Sequence, residues 1–461
     1  LNGGMFGRNV SVNEPIATPP RRHNSMAASA ALYERALAIM PGGSTRATLY
    51  SPPFPPYATR GQGSRVFDED GQEYLDLVNN FFSQVHGHAH PEIVAAVQSQ
   101  AALGLSFALP TASEVVLAEE ICARSEVLEN IRFCNSGTEA VMIAIKAARA
   151  FTGRARIAKF EGAYHGAYDH VEVSLDSHPS NWGPATAPAS IAYAAGTPQR
   201  VLEETVVLPF DDPAACEALI DGHAADLACV LMDPMPSSVG MIEAPPDLLR
   251  LLRDATARHG VVLICDEIVN FRLGWGGAHS RYNFTPDLVT LGKVIGGGQP
   301  IGAIAGRREL MAVFDVRQGR PRLSHGGTFT ANPLTMAAGL ASMRLLTQDA
   351  LARLNAMGAR LRHGLAAQFA RSGVPMQVTG AGSLFRVHPI DRPVTGYRSA
   401  YTTTAEKARL NALRQHLQAH GVLVTKNISG ALSTVMTDAD IDLVLQVFAA
   451  GLDSVAELRG G

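Results

Sequence analysis

The chain has 461 residues, 46% of them hydrophobic and 18% charged, enough for two or three domains around a large buried core. A formal net charge of -3 argues against a nucleic-acid binder, which carries a basic footprint. No apolar stretch is long enough to span a bilayer, and Leu1-Asn-Gly-Gly-Met5 has no charged region followed by an apolar one. The start therefore reads as free of a secretory leader, and the absence of Met at position 1 as a sign of truncation.

In chain order, residues 1–25 are polar, proline-containing and aperiodic, and are expected to form a mobile arm. A helix is expected over 27–39, ending at Pro41-Gly42-Gly43, and a hairpin around Asp68-Glu-Asp-Gly71. The segment 26–90 is assigned to a small domain. From residue 91 helical periodicity alternates with short apolar runs. Helices are expected at 92–103, 114–124, 139–151, 213–221 and 246–259, and strands at 131–135, 157–160, 205–209, 228–232, 261–266, 288–291 and 302–305. Such alternation gives an α/β fold: a large domain, 91–333, with a mostly parallel sheet covered by helices on both faces. Beyond residue 333 the pattern changes to long amphipathic helices (334–346, 351–371, 405–420 and about 438–458) around short strands near 377–385 and 422–424. This stretch, 334–461, is expected to be a smaller α+β domain.

Five scattered cysteines, Cys122, Cys134, Cys216, Cys229 and Cys265, form neither a disulfide framework nor a zinc spacing, which suits the cytoplasm. His86, His88 and His90 alternate like a strand face, but no carboxylate or cysteine pattern accompanies them, and no metal is expected.

Ligands of an open α/β sheet bind beyond the carboxyl ends of its strands. Lys293 lies on a glycine-rich turn just past one expected strand, and Asp266 ends another. A lysine of lowered pKa can hold an aldehyde cofactor as a Schiff base, and a carboxylate can keep a pyridine nitrogen protonated, so the pair suits pyridoxal 5'-phosphate (PLP). Ser136, Gly137 and Thr138 open the helix after the first strand, where unpaired N–H groups favour a phosphate; Ser136 followed by Glu139 also fits a capping box. An aromatic such as Tyr164 can stack on a flat cofactor and Ile268 can pack against a ring face, with a half-buried loop tyrosine and ordinary core packing as the alternatives. The turn at 292–298 is not a P-loop, because its lysine precedes the glycines and no Lys-Ser/Thr pair follows.

Taken together, Gly87-His-Ala-His-Pro91, Asn135-Ser-Gly-Thr-Glu-Ala140, Phe160-Glu-Gly-Ala-Tyr-His-Gly166, Asp266-Glu267, Gly292-Lys-Val-Ile-Gly-Gly-Gly298 and Gly327-Thr-Phe-Thr-Ala-Asn-Pro333 resemble the class III aminotransferases. The branch is the one that includes glutamate-1-semialdehyde aminomutase. The resemblance implies the aspartate-aminotransferase type of fold, a homodimer with active sites at the subunit interface, and a small-molecule amino donor and oxo acceptor. It implies Lys293 as the Schiff-base lysine, Asp266 as the partner of the pyridine nitrogen, Tyr164 and Ile268 flanking the ring, and Ser136, Gly137 and Thr138 on the phosphate. Thr328 would reach the same phosphate from the neighbouring subunit. The stretch Arg46-Ala-Thr-Leu-Tyr-Ser-Pro-Pro-Phe-Pro55 looks like the β-amino-acid transaminases of that branch, which makes Arg46 a candidate for a substrate carboxylate. The function expected is transamination between an amino acid, β-amino acids included, or an amine and an oxo acid. The alternatives are an intramolecular aminomutase using the same residues and, more remotely, a non-catalytic nucleotide-binding or scaffold protein.

Overall fold

In the computed structural model, residues 26–317 and 319–455 are described; the arm expected at 1–25 lies outside them. The chain divides into two compact units, residues 1–59 with 67–72, and residues 60–66 with 73–461.

In the first unit a helix runs over Ala27–Leu37. No side chain of its own caps it; the Asp70 carboxylate accepts from the backbone N–H groups of Ala28 and Ser29 at 2.8 and 3.0 Å. These are two of the donors that a helix start leaves unpaired.

The second unit is built on a seven-stranded sheet: β1 (Asn130–Cys134), β2 (Arg156–Phe160), β3 (Thr205–Leu208), β4 (Leu227–Met232), β5 (Val262–Asp266), β6 (Leu288–Gly292) and β7 (Gly302–Gly306). Their spatial order is β1-β7-β6-β5-β4-β2-β3. β7 runs antiparallel to both neighbours and the remaining pairs are parallel. The seven strands coincide with the seven expected apolar runs to within one residue at most ends. Period-2 alternation explains why these runs are apolar throughout. In β4, Cys229 and Leu231 join one core with the helix Gly137–Thr152, while Val230 and Met232 join the other with Leu248, Leu252 and Ala255 of the helix Pro246–His259. Both faces are therefore dry.

The carboxyl ends of β1, β2, β4, β5 and β6 all point to one edge of the sheet. Ser136, His165, Asp233, Asp266 and Lys293 follow or end those strands, so a reversal of direction in β7 alone leaves the functional edge intact.

The C-terminal region holds an antiparallel sheet of Gln377–Thr379, Leu384–His388 and Ser429–Ala431. The single strand expected near 377–385 is broken in two by Gly380 and Gly382, both with positive φ. Helices Pro333–Leu345, Gln348–Ser372, Thr404–Ala419 and Asp438–Val455 accompany it. Thr404–Ala419 begins with a complete capping box between Thr403 and Glu406. Arg65–Asp68 and Glu73–Asp76 are strands, and Val422–Leu423 pairs in parallel with Leu75 and Asp76.

Candidate active site

Lys293 stands at the first position of a short 3₁₀ turn, Lys293–Gly296, directly after β6. Its φ is +48°, a conformation few non-glycine residues adopt. Burial pulls its amine from 10.5 down to about 8, against the nearby carboxylates of Asp266 and Asp233, which raise it; the Arg272 guanidinium adds to the lowering. The Lys293 Nζ lies 5.7 Å from the centroid of the Phe82 ring.

Asp266 is buried, and three donors fix the plane of its carboxylate. His165 Nδ1 donates to Oδ2 at 2.7 Å, while Thr290 Oγ1 and the Ile268 backbone N–H donate to Oδ1, each at 3.1 Å. Burial lowers the pKa of His165, against the bond to Asp266, which raises it. Its buried Nε2 has no partner among the described residues. In the sequence His165 stands out only as a neighbour of Tyr164. Its partnership with Asp266 spans 101 residues and left no local signal.

Asp233 follows the apolar strand β4 as Asp266 ends β5, and carries the same strand-end signal. Asn270 Nδ2 and the Met235 N–H donate to its Oδ1 at 2.5 and 2.8 Å. Burial, and then Asp266, raise its carboxyl well above the usual range.

At the start of the helix Gly137–Thr152, Ser136 Oγ accepts from the Glu139 N–H at 3.1 Å. The Glu139 side chain does not complete the expected box: it accepts from the Asn135 N–H at 2.8 Å, one residue early. The N–H groups of Gly137 and Thr138 are the orphan donors of the first turn. Thr138 Oγ1 accepts from the Ala167 N–H at 3.2 Å, which brings the loop after β2 against the helix start. Ile268 ties the parts together. A Cβ on Gly137 would stand 2.7 Å from Ile268 Cδ1, and one on Gly292 3.4 Å from its Cγ2. It therefore touches both the phosphate-type helix start and the backbone just before Lys293. Tyr164 is 53% exposed at the same edge, its N–H donating to Ser238 Oγ at 3.0 Å.

Thr328 is not brought to this cluster. It is exposed in a recess of about 510 Å³ that is also lined by Phe107, Leu109, Thr330 and Asn332. Arg46 belongs to the first unit, where it is exposed and precedes the short turn Ala47–Leu49. The three histidines do not form a ligand set. His86 is bonded to Thr434 and Ser342, and His88 Nε2 to Asp76 Oδ2 at 2.8 Å.

Residues 49–452 match the class-III aminotransferase family. The chain belongs to that family. It is 37% identical over 428 residues to glutamate-1-semialdehyde 2,1-aminomutase 2 of Exiguobacterium sibiricum, covering 92% of this chain and 95% of that one. Among solved structures it is similar to an omega-transaminase from Sphaerobacter thermophilus, at 48% identity and a TM-score of 0.91, covering 93% and 98% of the two chains. A β-phenylalanine aminotransferase from Variovorax paradoxus aligns at 34% identity, a TM-score of 0.83, and 93% and 94% coverage.

This class-III aminotransferase is therefore a PLP-dependent enzyme with an amino donor and an oxo acceptor as substrates. The residues at its sheet edge fit PLP by their chemistry. They offer an amine of lowered pKa for an aldehyde and a carboxylate held by three donors for a pyridinium. They also offer a helix start with free N–H groups for a phosphate.

Proposed function

We propose that the protein is a transaminase in which Lys293 holds PLP through its aldehyde. The observation that carries this reading is the part-buried Lys293 amine, lowered to about 8, beside an Asp266 carboxylate that His165, Thr290 and Ile268 hold in place. Bound PLP supplies an electron sink for the proton lost from the amine-bearing carbon of the substrate. Asp266 keeps the pyridine nitrogen protonated, and His165 and Thr290 keep Asp266 aimed. Ser136, Gly137 and Thr138 hold the phosphate, and Tyr164 and Ile268 cover the ring faces. Freed by the incoming amine, Lys293 would be the base that takes the proton from the substrate carbon and returns it to the carbon that Lys293 itself had held. Arg46 is the candidate ligand for a substrate carboxylate.

The similarity to an omega-transaminase and to a β-phenylalanine aminotransferase supports amino-group transfer with β-amino acids among the donors. The 37% identity to an aminomutase supports the second reading, transfer within one molecule. Donor exchange separates the two. With excess β-amino acid and no acceptor, a transaminase releases one oxo acid per site, whereas a mutase keeps the nitrogen in the molecule that brought it. Lys293→Ala is expected to abolish turnover and the absorbance of lysine-bound cofactor. Survival of both would remove Lys293 from the mechanism.

A homodimer is part of the proposal, with Thr328 of a second copy completing the phosphate site. Phe107 and Leu109, which line the Thr328 recess, and Phe329 next to Thr328 in the chain are exposed by 49%, 77% and 63%, an apolar character that suits a partner. Sedimentation equilibrium tests this. The five free thiols suit a reducing compartment, and a cytoplasmic location completes the reading.

A further inference from the structure

Arg386 lies in the middle of the strand Leu384–His388, opposite Thr379 and Ser429. Its guanidinium is largely buried, and burial alone lowers it to about 10. Among the described residues no carboxylate lies within salt-bridge distance of it. Both of its hydrogen bonds come from Nη1, to the carbonyls of Ser237 and Ser238 at 2.6 and 3.3 Å. The buried Nε has no partner among the described residues. Nη1 therefore anchors the group, and the side-on Nε edge, one of those with which a guanidinium grips a carboxylate in two parallel bonds, makes no recorded bond to the protein.

The location gives this edge a use. Ser238, whose carbonyl Arg386 holds, also holds Tyr164 through its hydroxyl, and His165 next in the chain is bonded to Asp266. Arg386 thus abuts the turn that forms one wall of the proposed PLP site. That turn does not depend on Arg386 for its shape. Thr379 Oγ1 and His388 Nε2 both donate to the Gly240 carbonyl, at 2.6 and 3.0 Å, and Asn270 Nδ2 donates to the Met235 carbonyl at 3.3 Å. With both ends of residues 235–240 fastened by other side chains, a buried cation is not needed as a clamp.

We propose that Arg386 is a substrate-binding residue: its guanidinium receives a carboxylate of the amino acid or oxo acid in the active-site cleft, in addition to any contact from Arg46. The inference rests on the transaminase reading, yet its test is a binding measurement. The probes are 3-phenylpropanoate, a β-amino acid without its amine, and 2-oxoglutarate, each titrated calorimetrically into the holoenzyme. Arg386→Met is expected to weaken at least one of them tenfold or more, with the melting temperature and PLP affinity unchanged, and Arg386→Lys is expected to restore part of the loss. In turnover the same variant is expected to raise KM for the acid-bearing substrate more than it lowers kcat. Wild-type affinity for both probes in Arg386→Met overturns the proposal, as does a parallel loss of PLP and fold stability, which would mark a clamp. A wild-type enzyme that binds neither probe overturns it too. If Arg386→Met weakens carboxylate binding but the wild-type enzyme transfers no amino group, the transaminase reading fails and the role of Arg386 stands.

Discussion

A lysine on a turn is ordinarily a solvated cation near 10.4, and the environment of Lys293 removes that default. Its amine is lowered to about 8, so a substantial fraction is unprotonated at mildly alkaline pH. In the apoenzyme, reductive methylation of Lys293 is expected to rise with a midpoint near 8, while exposed lysines follow near 10; peptide mass spectrometry reads both. Modification of Lys293 only above pH 10 would contradict the burial argument. Removing one of the donors to Asp266 is a second test. A hydrogen bond to a charged group is worth about 1.5–3 kcal/mol, so His165→Ala is expected to slow turnover roughly tenfold or more with PLP still bound. Unchanged turnover at full occupancy would assign the aiming of Asp266 to Thr290 and the backbone alone. Lys293 and Asp266 were legible in the sequence because each follows an apolar run that could be recognised as a strand. The His165 contact was not legible, because it is made by folding, between loops of different strands.

At the scale of elements, close approach decides where the phosphate-type helix begins. β7 pairs Gly302 with Cys134 on one side and Gly292 on the other. A Cβ on Gly302 would stand 2.0 Å from the Ser136 carbonyl oxygen, a backbone atom with no easy retreat. Gly302→Ala is expected to destabilise the fold by about 1–3 kcal/mol and to weaken PLP retention, because the displaced carbonyl belongs to the residue that caps Gly137–Thr152. Thermal denaturation and PLP titration of the apoenzyme measure the two effects, and PLP affinity equal to wild type would detach β7 from the site. A different strain lies at residues 79–82, where Asn79, Asn80, Phe81 and Phe82 all have positive φ. Arg272, buried without a carboxylate partner among the described residues, holds this turn by donating to the Phe82 carbonyl at 3.0 Å and to the Leu432 carbonyl. In Asn-Asn-Phe-Phe only the two asparagines hint at a left-handed turn; glycine is its usual marker, and two bulky aromatics argue against it. The helices and strands around it were readable from periodicity; this turn is imposed by tertiary contacts that override local preference.

At the scale of the whole molecule the layers were readable, because dry strands must be apolar on both faces and amphipathic helices must cover them. The polar groups sealed between the layers were not, since burial is a property of the finished fold. Two of these, His86 and His388, give the molecule an acid sensitivity. His86 bonds Thr434 through Nδ1 and the Ser342 carbonyl through Nε2, and burial pulls it from 6.5 down to about 4. His388 donates to the Gly240 carbonyl, and burial lowers it to about 3. A base whose folded pKa is depressed binds fewer protons folded than unfolded between the two values. Stability is therefore full above pH 6.5 and is lost as pH falls toward 4. For His86 alone the loss amounts to about 3 kcal/mol by pH 4. The melting temperature is expected to fall steadily from pH 6.5 to 4. His86→Gln, which keeps a donor for Ser342 but cannot take a proton, is expected to flatten that slope while lowering stability at pH 7.5. A variant with the wild-type slope would place the acid sensitivity elsewhere, in His388 or in groups that titrate below the histidine range.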